Sequence, residues 1–387
     1  MSKNIFYLIV FISSPLLYIF DGSIRIYLSL LIALIFFMKI PKLEIFISDK
    51  LALWTFIYCF LIIVRNLVMR DESFTNTMAN SFGIYLMFIP YQILTKEMIF
   101  NTNIARKGLI KFVNLMLIVF ASSILSARFF NFGVIYDLGS RYFGFMPDSA
   151  SPILVFIIFY YVVNKHWFRV ICSILLLTLI KAKAGYFLLL SCLITYLLIK
   201  YYKKNKIITT IIVILTYVII YYFNQNYNSI IETFYNFDYS YNNRLLMLYS
   251  GWDLFISNFV VGLNSYQIEA SLGDLMYEKS IDNRYYKSER IYNPFLHSAV
   301  SLGILGLISF LMIYFSMIKN TLYNIKSINL SSKNWLQRQS FVISLYLLNY
   351  LVVYQGVNWF YKGEIQYAFI LVLLGFLCLL TNRKYST

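Results

Sequence analysis

Residues 244–306 gather the side chains best suited to chemistry: Arg244, Arg284, Arg290, then Tyr292-Asn293-Pro294-Phe295-Leu296-His297. A guanidinium grips phosphate or carboxylate through a planar fork, and its charge survives partial burial. With Arg141, a set of four arginines has the chemistry to hold a lipid-linked phosphate; the plainer alternative is that each anchors the chain at lipid headgroups. Asn293-Pro294 predicts a helix start, with Asn as N-cap and Pro at the first helical position. His297 then lies about one turn inside, near the positive end of the helix dipole. That end attracts anions and favours the neutral imidazole a general base needs. Tyr241 and Trp252 are amphipathic rings that either stack on sugars or sit at a membrane interface. No Gly-rich nucleotide loop, His-Glu-x-x-His or Asp-x-Asp occurs in the sequence. Metal-dependent sugar-nucleotide chemistry and ATP hydrolysis are therefore unsupported, and no cofactor is expected.

The elements that position these residues read as membrane. The 387-residue chain is 60% hydrophobic with mean hydropathy +0.68. Apolar runs fall near 4–20, 24–40, 51–69, 77–95, 109–130, 149–164, 168–182, 184–201, 207–223, 294–318, 340–359 and 364–381. These runs read as spans across about 30 Å of hydrocarbon, 168–182 being short for one, and lipid demands internally satisfied backbones, so an all-α polytopic bundle of about twelve helices is expected. The pair 168–182 and 184–201 reads equally as a re-entrant hairpin. Lys3 precedes the first run and no small-residue cleavage site follows, which predicts a retained span. Cys59, Cys172, Cys192 and Cys378 all sit in apolar runs and form no metal or disulfide pattern.

Net charge is +16. With the N-terminus inside, the inner segments hold 20 of the 33 basic residues and 3 of the 17 acids, leaving the outer side near neutral. That fits the positive-inside rule and accounts for the whole basic excess, so a nucleic-acid reading falls away. The inner cations are 16 Lys and 4 Arg, whereas the outer ones are 5 Lys and 8 Arg. Loops are short except for 224–292, too long for a connector and therefore functional. The chain thus divides into an N-terminal bundle (1–223, about nine spans), a large periplasmic loop (224–292) and three C-terminal spans (293–387). Within the loop, Leu245, Leu248, Trp252 and Phe255 have the spacing of a helix lying along the membrane surface. Gly303 and Gly306 form a small-residue patch suited to close helix packing.

These motifs resemble the bacterial O-antigen polymerase (Wzy-like) and O-antigen ligase family. That family carries His-Asn, nine residues, then Gly-x-x-Gly at the mouth of a late span; here Tyr292-Asn293 precedes Gly303-Ile304-Leu305-Gly306. Upstream, Arg244, Trp252 and Val261-Gly262-Leu263 follow the family order of arginine, tryptophan and glycine turn. Arg141-Tyr142-Phe143-Gly144 is similar to its earlier Arg-x-x-Gly segment, and Lys183 stands where it has a second arginine. The resemblance covers about residues 128–318.

The resemblance implies a GT-C-like bundle and metal-independent glycosyl transfer at the periplasmic face of the inner membrane, both termini being cytoplasmic. An undecaprenyl-pyrophosphate-linked glycan would move onto a sugar hydroxyl of another lipid-linked unit. Arg244, His297 and Tyr292 would be catalytic; Lys183, Arg141, Arg284 and Arg290 would bind pyrophosphate; Tyr241, Trp252 and Asn293 would bind sugar. Partners would include a chain-length regulator (Wzz-like) and a flippase (Wzx-like). Tyr292 and Lys183 depart from the stricter ligase pattern and favour polymerase. The rivals are a ligase acting on lipid A core and, in a different class, a lipid-linked oligosaccharide flippase. A flippase predicts internal repeats and mid-membrane charges, and neither is visible in the sequence.

Overall fold

A computed structural model describes residues 50–69, 91, 94, 102–130, 134–136, 141–144, 151–180, 183–202, 239–279, 291, 293–327, 335–353 and 365–381. The expected spans 4–20, 24–40 and 207–223 lie outside these residues, as does 77–95 apart from Tyr91 and Leu94. The described residues form helices α1 (Lys50–Met69), α2 (Thr102–Phe130), α3 (Ser151–Val163), α4 (Trp167–Ile180) and α5 (Lys183–Tyr202). They continue with α6 (Tyr239–Ser257), α7 (Ser265–Lys279), α8 (Pro294–Ser327), α9 (Trp335–Val353) and α10 (Ile365–Thr381). The class is helical, with one addition to the sequence reading. Strands β1 (Val134–Tyr136) and β2 (Arg141–Gly144) pair as an antiparallel hairpin with an irregularity between Val134 and Ile135.

Two compact units emerge: Met1–Cys192 with Ser309–Tyr354 and Trp359–Thr387, and Leu193–Ile308 with Gln355–Asn358. In the first, α3 is apolar on every side and buried at every position from Ser151 to Tyr161. Such a helix belongs at the centre of a bundle. Phe156 meets Tyr346 edge-on at 5.0 Å and Phe369 at 5.5 Å between ring centroids. The buried Tyr346 hydroxyl donates to the Pro152 carbonyl at 2.7 Å, so α9 supplies a partner for that polar group. α2, α4, α9 and α10 pack around α3.

The outward faces are apolar too. Phe56, Phe60, Val64 and Leu67 on α1 are exposed, as are Phe187, Leu190, Ile194, Leu197 and Tyr201 on α5. Stripes at three- and four-residue spacing are lipid-facing surface, since water would not tolerate them at this extent. Lys50–Val68, Arg106–Phe129 and Pro294–Tyr323 are long and apolar enough to cross a membrane. This is a membrane protein.

Candidate functional site

The second unit builds its site from three helices. α6 turns Met247, Leu254 and Phe255 inward; α7 turns Ile268, Leu272 and Met276 inward at four-residue spacing. Both pack on Ile291, Leu296, Ala299 and Val300 at the start of α8. α6 comes closest at Gly251, where an added Cβ would stand 2.9 Å from Ile291 Cδ1 and 3.0 Å from Leu296 Cδ2. An ion pair between Asp253 and Lys279 ties α6 to α7. The surface stripe of α6 differs from the sequence reading: Leu248, Trp252 and Ile256 are exposed, while Phe255 faces the core.

α7 itself was not anticipated, although its start is written in Asn264-Ser265-Tyr266-Gln267. The Asn264 side-chain oxygen accepts from the Gln267 amide at 2.6 Å, and the Gln267 oxygen accepts from the Asn264 amide at 3.1 Å. That is a capping box with both donors satisfied reciprocally.

α8 opens as the sequence predicts. Asn293 Oδ1 accepts from the Leu296 amide at 3.0 Å, and the His297 amide donates to the Asn293 carbonyl at 2.8 Å. Nine residues after Pro294 the helix breaks: Gly303 sits at φ 65°, ψ −159°. The loop between α6 and α7 is stitched into this break. The Ile304 amide donates to Phe259 O at 2.8 Å instead of to Val300, and Val300 O accepts from the Leu263 amide at 2.7 Å. Gly262, at φ 78°, faces the same junction, where a Cβ would meet Ser301 and Leu302 backbone at 2.6 Å. A Cβ on Gly303 would stand 2.3 Å from Val260 O.

Gly303 and Gly306 are therefore not a helix-packing patch. Gly306 lies 2.6 Å, measured from a built Cβ, from Ser298 O, eight residues earlier. A straight helix would separate those positions by about 12 Å along its axis. The helix kinks sharply at Gly303, where the backbone of the α6–α7 loop hydrogen-bonds to both sides of the break.

Between α6 and α8 lies an open groove of about 420 Å³, lined by Leu248, Tyr249 and Trp252 on one side and Asn293, Phe295, Leu296 and Ala299 on the other, with Leu307 beyond the break. Trp252 and Asn293 thus share one groove. Arg244, exposed, sits on the same stripe of α6 as Leu248 and Trp252, about 6 Å along the axis from Leu248. His297 is buried, with 4% of its surface exposed. Its Nδ1 accepts from the Ile291 amide at 3.5 Å, which in the neutral ring leaves the proton on Nε2. The groove's Tyr249, Phe295 and Ala299 carry no sequence signal beyond helical spacing around Trp252 and Asn293.

The other expected site residues are not among those lining the groove. Tyr241 falls in the first turn of α6, Lys183 opens α5 and Arg141 opens β2, the latter two in the first unit. Tyr292, Arg284 and Arg290 lie outside the described residues.

The residues that frame the groove are also the ones that relate this chain to a known family. Residues 168–311 match the family model described as O-antigen ligase. The matching segment, somewhat over a third of the chain, begins in α4 and ends in α8 beyond the break. It takes in Lys183, Arg244, Trp252, Asn293, His297 and both junction glycines, and it lies inside the stretch over which the motifs show the resemblance. Members of the family are polymerases or ligases, enzymes of glycosyl transfer. A comparison with curated proteins gives no match.

Proposed function

We propose that this protein is a surface-polysaccharide polymerase that joins undecaprenyl-pyrophosphate-linked repeat units at the periplasmic face of the inner membrane. The observation that carries the reading is the coincidence of two things in residues 168–311. The segment matching the ligase family contains the whole groove, with Arg244 one turn from its wall and Asn293 in its lining. In this reading a sugar hydroxyl attacks the anomeric carbon of the donor glycan. The bond to the pyrophosphate oxygen breaks, and undecaprenyl pyrophosphate leaves with the electron pair. Arg244 stabilises the departing charge, the role that the motif resemblance also gives to Lys183, Arg141, Arg284 and Arg290. One such contact is typically worth about 3–4 kcal/mol in the transition state. Trp252, Tyr241 and Asn293 bind sugar.

His297 and Tyr292 share the remaining work, removal of the hydroxyl proton and orientation of the acceptor. With Nδ1 engaged by Ile291, His297 acts as base only if that bond is released. Held as it is, the ring offers Nε2–H as a donor. The architecture that goes with this reading has about twelve spans in 1–223 and 293–387, cytoplasmic termini and a periplasmic 224–292. A chain-length regulator and a flippase act on the same glycans.

The match to a family described as O-antigen ligase favours a second reading, transfer of finished glycan to lipid A core. Lipid-linked sugars from cells lacking the protein distinguish them. Single lipid-linked repeat units mark a lost polymerase; long chains not attached to core mark a lost ligase. Repeat units trapped on the cytoplasmic side would refute both and support a flippase.

A further inference from the structure

We infer that one end of the first unit is a binding site for the headgroup of an acidic phospholipid. Four helix ends meet there through their polar side chains. Arg169 at the start of α4 donates to Asn114 Oδ1 of α2 at 2.8 Å, and the Tyr161 hydroxyl of α3 donates to the same oxygen at 2.7 Å. The Arg169 guanidinium lies over the Tyr161 ring at 5.4 Å, and the exposed His166 meets that ring edge-on at 6.0 Å. Asn164 and the buried Gln339 of α9 exchange two hydrogen bonds, at 2.7 and 3.3 Å. Arg106 of α2 sits over Trp335 of α9 at 5.2 Å.

This scaffold presents Arg106, Lys107, Lys111, Lys165, Arg169 and Arg338, all exposed, while 102–130, 151–180 and 335–353 contain no carboxylate. Lys107, Lys111 and Asn114, which carries Arg169, follow at four and three residues along one face of α2, a cationic stripe about 10 Å long. Three of the four arginines that the charge pattern assigns to the cytoplasmic side are here, and two are held in place by an aromatic face. Arg169 gives one N–H to Asn114 and also stands against the Tyr161 hydroxyl, and the rest of its five-donor fork is left for a phosphate. Beside it Trp167 and Phe168 are 60% and 80% exposed, aromatic surface of the kind that sits at the headgroup level.

Lys165 adds an independent sign. It occupies the turn between α3 and α4 at φ 61°, a left-handed position normally filled by Gly or Asn. The turn would be relaxed with glycine, yet it holds an exposed cation between α3 and α4 at that helix end. A cluster of exposed cations at joined helix ends, with exposed aromatics beside it, matches an anionic phospholipid better than a soluble phosphate. The aromatics have no role with the latter. The site is distinct from the groove and holds whichever glycosyl transfer the protein performs.

The test uses the full chain in nanodiscs of neutral phosphatidylcholine, titrated with phosphatidylglycerol or cardiolipin and read by thermal shift and by lipid retention in native mass spectrometry. Lys165→Gly separates binding from folding. Removing the left-handed strain offsets the entropy that glycine adds to the unfolded chain, so stability in neutral lipid stays the same or rises. Acidic-lipid affinity falls about fivefold, the size of one juxtamembrane cation. Arg106→Ala with Arg169→Ala lowers it by more than tenfold, and Arg169→Lys restores part of the loss. The charge-matched pair Lys200→Ala with Lys319→Ala changes it less than twofold. An equal loss in that control pair overturns the proposal in favour of diffuse attraction. Displacement of the lipid by millimolar inorganic phosphate overturns it in favour of a soluble anion.

Discussion

Alanine at Gly303 is the sharpest probe of how the groove is held. Its backbone, at φ 65° and ψ −159°, lies where only glycine is at ease, and forcing a side chain there costs about 1–3 kcal/mol. The added Cβ would also stand 2.3 Å from Val260 O and 2.6 Å from Val260 C, backbone atoms that cannot swing aside. The break is then driven to heal into regular helix. Ile304 regains Val300, but the Leu263 amide and the Phe259 carbonyl lose their partners, at about 1 kcal/mol each. The total is about 3–5 kcal/mol against the junction. Hydrogen exchange reads it directly: peptides carrying Leu263 and Ile304 should be protected in the parent and lose protection together in Gly303→Ala. Glycan length, at matched protein level, should fall towards single repeat units. Gly251→Ala is the control, because its Cβ meets only the far ends of Ile291 and Leu296 and should cost little. Parent-like exchange and normal glycan length in Gly303→Ala would refute the stitched junction as the device that holds the site.

Three further outcomes are expected. Arg244→Ala should lower polymerisation about 10²-fold or more without loss of membrane insertion, with Arg244→Lys only a partial rescue because the fork is lost; normal chain length in the alanine variant removes Arg244 from the site. His297→Ala should be severely impaired and Tyr292→Phe should retain much activity, both scored by chain length. His297→Asn keeps an acceptor near Nδ1 for the Ile291 amide, so recovery in that variant assigns His297 to positioning, while a dead one assigns it to proton transfer. A cysteine placed at Asp274, exposed on α7, should label from the periplasm, and labelling from the cytoplasm alone would sink the topology and the function built on it.

Hydropathy made most described helices legible to within a few residues, because lipid-facing and buried faces are both apolar and the run itself is the signal. It blurred ends: α2 starts at Thr102 and α9 at Trp335, several residues before the apolar runs at 109 and 340, since the polar first turns belong to the helix. Asn293-Pro294 was readable because capping is local. Phe255 was misplaced because a spacing of seven residues from Leu248 and three from Trp252 does not say which flank of the stripe meets the core. The Gly303 junction was not readable at all. Its cause lies some forty residues upstream, in a loop whose amide and carbonyl replace the helix's own, and a Gly-x-x-Gly spacing looks the same in both settings. The groove was half visible, as Trp252 and Asn293. Its other walls are ordinary helix residues made special only by their neighbours.

α3 is enclosed by helices made both before and after it. Its buried faces rest on α9 and α10 as well as on α2, and Tyr346 supplies the partner of the Pro152 carbonyl. Roughly 220 residues separate Val163 from Thr381 at the end of α10. At 5–20 residues per second, ribosomes need about 10–40 s to make them. For that interval a helix of 13 residues, about 20 Å and too short to cross hydrocarbon by itself, has no permanent walls on that side. Its placement must be deferred until synthesis nears its end. A nascent chain stalled before α9 would hold α3 against lipid or insertion machinery, so quality control in the membrane meets this protein first at its innermost helix.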